Sequence, residues 1–392
     1  MENRASGADP VDYLNAIAEE FGPENFADLL YREFFDLFIA RKVPAAEITA
    51  PERNENARYI LDNAFVTTLG LRDAALAVAG KNPRRLSPDA GKIASNLPSG
   101  ADAGKFAATI AAHDRFLRCR TFRFDGDRLV EAVPDSAKSV RSFYGFAGVR
   151  AILADHLADF RKGLVNVPLL IHSLPGYGKT SMTVSYALDG KEDVLVLAPP
   201  EALFVSWEKL YALLAARPDK RFILFFDDID PSEVNWYLFR THVGGAFSLA
   251  KHILVILASN YEFPASILSR GRSVTFPVFD ELRCTEMVED FLRDFGLKHP
   301  PEALVSLLAA DYTEAFGQKK FTELSPRTLM RHLLVYTRSR EKRRLLADMS
   351  TGDVITKPDP ALFYEFNINL MRTLYGDGYI DRLRAEKLRN MK

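Results

Sequence analysis

Cysteine is almost missing from this chain: Cys119 and Cys284 are the only two in 392 residues. They lie far apart in sequence, which excludes a disulfide scaffold and points to a reducing compartment. No apolar run is long enough to cross a bilayer. The first residues, Met-Glu-Asn-Arg-Ala-Ser-Gly, lack the apolar core of a signal peptide. A cytoplasmic location without membrane partners is therefore the expectation. Net charge is only −1, so no global field draws the chain toward nucleic acid or lipid. The His and Cys residues show no metal-ligand spacing, and no internal repeat is visible. What remains, 47% hydrophobic and 26% charged residues, is a globular composition with room for two or three domains.

The most informative stretch is His172-Ser-Leu-Pro-Gly-Tyr-Gly-Lys-Thr180. It follows the apolar run Val167-Pro-Leu-Leu-Ile171 and leads into the helix-compatible Ser181-Met-Thr-Val-Ser-Tyr-Ala-Leu188. A buried strand, a Gly-rich turn and a helix start are what a phosphate cradle requires. Gly176 and Gly178 allow backbone N–H groups to turn toward phosphate oxygens, and the helix N-terminus adds partial positive charge. The cradle is assigned to Ser173, Pro175, Gly176, Tyr177, Gly178, Lys179, Thr180 and Ser181. Lys179 is placed to reach β- and γ-phosphates, and the Thr180 hydroxyl to ligate Mg²⁺. One departure is evident: Ser173 stands where the pattern G-x-x-x-x-G-K-[ST] begins with Gly.

Four further signals follow. Arg221-Phe-Ile-Leu-Phe-Phe-Asp-Asp-Ile-Asp230 reads as a strand buried on both faces that ends in acids. Carboxylates at such a strand's C-terminal end project into the crevice where ligands bind in open α/β sheets. Asp227 is the candidate for holding Mg²⁺ through water, and Asp228 for orienting the attacking water. His252-Ile-Leu-Val-Ile-Leu-Ala-Ser-Asn260 is again apolar until it delivers Ser259 and Asn260 at its end, the Asn suited to bond both γ-phosphate and lytic water. Ile267-Leu-Ser-Arg-Gly-Arg-Ser-Val-Thr-Phe276 carries Arg270 and Arg272 in a Gly-containing turn. In Leu324-Ser-Pro-Arg-Thr-Leu-Met-Arg-His-Leu333, Ser325 reads as N-cap, Pro326 as the first helical residue and Arg327 as a first-turn cation. A cation there opposes the helix macrodipole and calls for an anion.

Taken in that order, these elements resemble an AAA+ ATPase, in which they are named Walker A, Walker B, sensor 1, arginine finger and sensor 2. The likeness is nearest to bacterial single-module AAA+ ATP-binding proteins, covers about Phe143 to Arg344 and reaches back more loosely to Phe122. It implies ATP and Mg²⁺ as ligands, ATP hydrolysis, and catalytic roles for Asp228, Asn260, Arg327 and one of Arg270 and Arg272, with Arg270 preferred. It implies a homo-oligomeric ring, for which a hexamer is the candidate size, acting on a protein partner. Walker B ordinarily ends Asp-Glu. The shorter Asp228 raises a second reading, a slowly hydrolysing nucleotide switch. A third, a DNA-associated loader, rests on nine Lys/Arg against two Asp/Glu between residues 318 and 346; a solvated helix face is the commoner meaning of such a run, so DNA is not favoured.

The expected fold class is α/β: a parallel-sheet P-loop domain over 136–280, a small helical lid over 281–346, and a helical tail over 347–392. Residues 1–135 read as a separate, mostly helical domain. Leu30, Phe34, Leu37 and Phe38 fall on one helical face. Residues 80–105, rich in Gly, Pro, Ser and Asn, read as a flexible loop, and Thr121–Glu131 around Asp125-Gly126 as a hairpin. Phe143-Tyr-Gly-Phe146 is by resemblance a lining of the adenine pocket, with core packing the equal alternative. Leu203-Phe-Val-Ser-Trp207 lies where remodelling ATPases carry an aromatic pore loop, but Trp207, Leu210, Tyr211 and Leu214 fit a core helix face better.

Overall fold

The computed structural model describes residues 9–23, 54–97, 103–112, 114–133, 139–242, 249–338 and 357–390, with isolated positions between 30 and 48. The chain forms two compact units, one of residues 1–120 with 211–220, the other of 121–210 with 221–392.

In the first unit, helices α1 (Pro10–Phe21), α2 (Glu55–Lys81), α3 (Pro88–Asn96), α4 (Ala103–Ala112) and the single turn α5 (Arg115–Arg118) are described. Asp9 caps α1, accepting from the Val11 N–H, with Pro10 at the first helical position. Leu30 and Phe38 are buried, but Leu37 is exposed, so the apolar face proposed for this segment is narrower than its sequence suggests. Residues 80–97 are not a flexible loop. Pro83–Arg85 form a 3₁₀ turn, and the Ser87 hydroxyl accepts from the Ala90 N–H to start α3 on Pro88. The Gly and Ser residues there obscured a Ser-Pro helix start, and Ile93, Ala94 and Leu97 supply a buried face. Residues 98–102 of that segment lie outside the described residues. The short 211–220 segment is held to this unit by Arg217, which donates to both carboxylate oxygens of buried Asp114 at 3.0 and 2.7 Å. Burial pushes the Asp114 carboxyl upward, yet Arg217 and Lys220 outweigh it and hold it below its ordinary range.

The second unit is built on a seven-stranded sheet. Its strands are β1 (Thr121–Phe124), β2 (Leu129–Glu131), β3 (Leu169–His172), β4 (Asp193–Ala198), β5 (Arg221–Ile229), β6 (Ile253–Ser259) and β7 (Arg272–Thr275). They lie in the order β2-β1-β4-β5-β6-β3-β7, and every pairing but β1–β2 is parallel. The α/β class is thus as its sequence predicts. Phe222 to Phe226 and all of β6 are buried, so both sheet faces are covered at the centre. The 121–131 hairpin forms, but it groups with this sheet rather than with the N-terminal helices, because Thr121 to Arg123 pair with Leu195 to Leu197 of β4.

Helix α6 (Ala147–Arg161) precedes β3, and α7 (Lys179–Asp189) follows it. Helix α8 (Trp207–Ala215) comes before β5; Trp207 and Leu210 are buried, so the pore-loop alternative gives way to core packing. After α9 (Trp236–His242), α10 (Ala265–Leu268) and β7 come three helices where a lid is expected: α11 (Glu281–Asp294), α12 (Glu302–Gly317) and α13 (Pro326–Arg338). The tail adds α14 (Pro360–Tyr375) and α15 (Asp377–Asn390). Sheet, lid and the start of the tail share one apolar core, from Ile171 and Phe225 through Phe279 and Met287 to Leu329 and Phe363. Positions 339–346, which carry four of the nine cations of the basic run, lie outside the described residues.

Candidate functional site

Strands β3, β5 and β6 end side by side, with His172 opposite Ser259 and Ile229 opposite Ser259. Everything that leaves these three C-termini therefore converges in one crevice, the expected ligand position in an open α/β sheet. Two local devices shape it. Between Phe226 and Ile229 the β5–β6 register slips, and Asp228 adopts a left-handed conformation with φ of 54°. A bulge of this kind re-aims side chains at a sheet rim; here it directs the two acids to different partners. Leaving β3, the chain turns through Gly176 (φ 84°) and Gly178 (φ 86°) into α7. Gly176 is doubly constrained, since a Cβ there would lie 2.9 Å from the Ser325 Cβ.

No side chain caps α7. Its first-turn N–H groups thus have no capping side chain, and a helix N-terminus of this kind favours anions. Lys179, the first helical residue, is 7% exposed. Its Nζ donates to the Ser173 carbonyl and hydroxyl at 3.0 Å each, to the Leu174 carbonyl at 3.5 Å and to Asn260 Oδ1 at 2.6 Å. Asn260 Nδ2 in turn donates to Asp228 Oδ1 at 2.6 Å, and the Thr180 hydroxyl donates to Asp227 Oδ2 at 2.5 Å. Burial raises the Asp227 carboxyl despite the Thr180 bond. The same burial pulls Lys179 down to about 8, with Asp227 and Asp228 opposing and Arg327 adding to the fall. The exposed Arg327, from a different element, is thus near enough for its charge to repel the Lys179 ammonium. A phosphate group would relieve that repulsion.

Most of the sequence-predicted residues meet here: Ser173, Gly176, Gly178, Lys179, Thr180, Asp227, Asp228, Asn260 and Arg327. Ser325 caps α13 through the Thr328 N–H at 3.3 Å, and the Arg327 N–H donates to the Gly176 carbonyl at 3.1 Å, so the lid helix starts against the glycine loop. Pro175 and Ser181 are half-buried in the loop and the first turn of α7. Tyr177 turns inward: its hydroxyl accepts from the Phe279 N–H at 2.6 Å, and its ring packs among Phe146, Phe276 and Phe279. Phe143, Tyr144 and Phe146 are likewise engaged, with Tyr186, Phe291 and Phe276, which favours core packing of that turn. Arg270 and Arg272 are not brought to this cradle. Arg272 opens β7 opposite Leu169, three residues below the end of β3, and its N–H bonds the Pro168 carbonyl at 2.8 Å. Arg270 is exposed, just before β7.

Thr180 and Asp227 are hard oxygen donors suited to Mg²⁺. Among the described residues no group of three or more His, Cys, Asp or Glu gathers as a metal cage. Mg²⁺ at phosphate sites takes only one or two protein ligands and completes its shell with phosphate oxygens and water. The sparse pair Thr180 and Asp227 fits that pattern.

Sequence reasoning missed three contributors. The Ser259 hydroxyl donates to the Ile229 carbonyl at 2.7 Å and accepts from the Tyr261 N–H, fixing the exit of β6. His172 bonds the Tyr375 hydroxyl, which donates to the Asn260 carbonyl. Only Ser259 carried a sequence signal, as the polar end of an apolar strand.

No protein-family model matches the sequence, and no curated protein matches it. Similar solved structures include C. elegans PCH-2, at 16% identity over 60% of this chain and 70% of that one with TM-score 0.34. A Rhizobiales Trip13 is 14% identical over 60% and 94%, with TM-score 0.34. Thermotoga maritima RuvB is 14% identical over 52% and 74%, with TM-score 0.30. Likenesses of this strength leave the assignment to the site's own geometry. Among the described residues no helix is long and apolar enough to cross a membrane.

The low-lying Lys179 gives a pH signature. A bound phosphate raises the lysine again, so binding above about pH 8 must take up a proton. Nucleotide affinity is expected to be level between about pH 7, above which the phosphates are ionised, and that value, and to fall by up to about tenfold per pH unit above it. Equilibrium titrations without added metal, in wild type and Lys179→Arg, check this. The variant should give a flat profile because arginine stays charged; a flat wild-type profile contradicts the account.

Proposed function

We propose that this protein is an AAA+ ATPase that binds ATP with Mg²⁺ and hydrolyses it, working as a homo-oligomer on a macromolecular partner, a protein in preference to DNA. The observation that carries this reading is the junction of Lys179, Asn260 and Asp228 in one chain of hydrogen bonds beside the Thr180–Asp227 pair. A phosphate-binding loop alone would serve a kinase or a switch equally well. An amide bridging the loop lysine to a second, bulge-directed acid is suited to positioning a water against a terminal phosphate.

The chemistry is phosphoryl transfer to water, in which the protein supplies positioning and charge stabilisation. Lys179 and the α7 N–H groups hold the phosphates. Thr180 and Asp227 would hold Mg²⁺, which when bound neutralises charge on the phosphate oxygens. Asp228 accepts from, and so orients, the attacking water, with Asn260 keeping it in register. Arg327 closes the crevice from the lid. The direct Asp228–Asn260 bond also favours a second reading. One Asp228 oxygen is already taken up by the Asn260 amide, so in this reading turnover is slow until a partner separates them.

Asp227→Ala and Asp228→Asn separate these roles. The first is expected to weaken Mg²⁺-dependent binding; the second keeps nucleotide bound but lowers turnover by about 10² or more. Phosphate release and nucleotide binding measured side by side check this. A wild-type turnover rate in Asp228→Asn moves catalysis elsewhere.

Arg270 lies outside its own cradle, which suits a residue acting on a neighbouring subunit. Mixing Arg270→Ala with Lys179→Ala subunits should restore turnover at interfaces where an intact cradle meets an intact finger. Mixing Arg327→Ala with Lys179→Ala should restore none, since Arg327 serves its own cradle. Loss of such a finger costs about 10³-fold or more, so rescue stands clear of background. Equal rescue from both mixtures contradicts the oligomeric reading.

A further inference from the structure

The tail helices lie beyond every element that the sequence resemblance explains, yet one of their side chains reaches the catalytic crevice. Tyr375, at the end of α14, donates its hydroxyl to the Asn260 backbone carbonyl at 3.0 Å. His172 Nε2, at the end of β3, lies 3.1 Å from the same hydroxyl. The hydroxyl has a single proton, and a carbonyl only accepts. With that proton given to Asn260, His172 must be the donor through Nε2–H. Burial lowers the His172 pKa, so the neutral ring with Nε2 protonated supplies this bond.

The contact is braced on every side. Tyr379 of α15 stacks on Tyr375 at 4.3 Å between ring centroids, and Tyr261 meets Tyr375 edge-on at 5.9 Å. The Tyr379 hydroxyl donates to Glu262 at 2.8 Å. Farther up α14, Asn367 donates to the Phe279 carbonyl at 2.9 Å and Phe363 packs edge-on against Phe279. The tail therefore grips the loop 259–262 from outside while the Asn260 amide grips Lys179 and Asp228 from inside.

We propose that Tyr375 is a positioning residue for Asn260, and that the C-terminal helix pair is a clamp setting the geometry of the sensor loop. Its functional half rests on the ATPase reading above. A carbonyl fixed at one end of Asn260 limits the rotation of the residue whose amide must meet two partners at once. Small misplacements of such a group cost rate far more than affinity. Anything that pulls on the tail is thereby felt at the phosphate end of the crevice.

Tyr375→Phe tests the clamp with little risk to folding, since it removes one oxygen and keeps both ring contacts. Hydrogen exchange in nucleotide-free protein reads the clamp itself: amides of Tyr261 and Glu262 should exchange about tenfold or more faster than in wild type. Steady-state turnover and equilibrium ATP binding read the consequence: kcat about tenfold or more lower, with Kd unchanged. Tyr364→Phe, on the exposed side of the same helix, serves as control and should match wild type in all three. Wild-type exchange in Tyr375→Phe overturns the clamp whatever the activity. Faster exchange with wild-type kcat, or with kcat and affinity falling together, overturns the positioning role. Faster exchange in a protein whose wild type shows no ATP turnover sinks the ATPase reading instead, and the catalytic half of this proposal with it.

Discussion

A buried ammonium with only neutral oxygens in contact is the interaction on which the rest of the crevice depends. Lys179 has three protons to donate, and they are shared among Ser173, Leu174 and Asn260, with the Asp227 and Asp228 carboxylates acting from farther off. Such a group is costly to keep charged away from water. The protein offsets this with the loop's own carbonyls and hydroxyl. Ser173 belongs to that arrangement: where the usual loop offers a bare carbonyl, this chain adds a second acceptor. The lysine is held in place by neutral oxygens alone.

The fold exists to bring these partners from distant parts of the chain to one point. Strand ends fix three of them, since β3 and β6 end together and are followed by Ser173 and Asn260, while Asp227 and Asp228 lie in the bulge at the end of β5 between them. The lid adds Ser325 and Arg327 against the Gly176 loop, and the tail adds Tyr375 behind Asn260. Tyr177, pointing inward to Phe279, ties the loop to the segment leading into α11. Lys179 is thus connected to lid and tail through hydrogen bonds and packed rings.

Much of this was legible in the sequence because its signals are local. An apolar run ending in Asp-Asp, another ending in Ser-Asn, and a strand followed by Pro-Gly-Tyr-Gly-Lys-Thr each carry their placement with them. The parallel sheet follows from Phe222–Phe226 and Ile253–Ala258 being apolar without alternation. Three things were hidden, each for a physical reason. The bulge at Asp228 arises from a register difference between two strands, which neither strand reveals alone. Helix α3 was masked because Gly91 and the Ser and Asn residues lower helix propensity, while packing of Ala90, Ile93 and Ala94 overrides it. The Tyr375–Asn260 bond joins residues 115 apart in sequence, a distance at which no spacing rule operates.

The central claim is that Lys179 is the electrostatic anchor of a nucleotide-phosphate site. Equilibrium binding of a fluorescent ATP analogue with Mg²⁺, to wild type and to folded Lys179→Ala, tests it most directly. Removing a charge-assisted contact to phosphate costs about 1.5–3 kcal/mol, and more in a buried site, so affinity should fall at least about tenfold and in practice beyond detection while the thermal transition persists. Wild-type affinity in the folded variant, or no binding by the wild-type protein, would contradict the account.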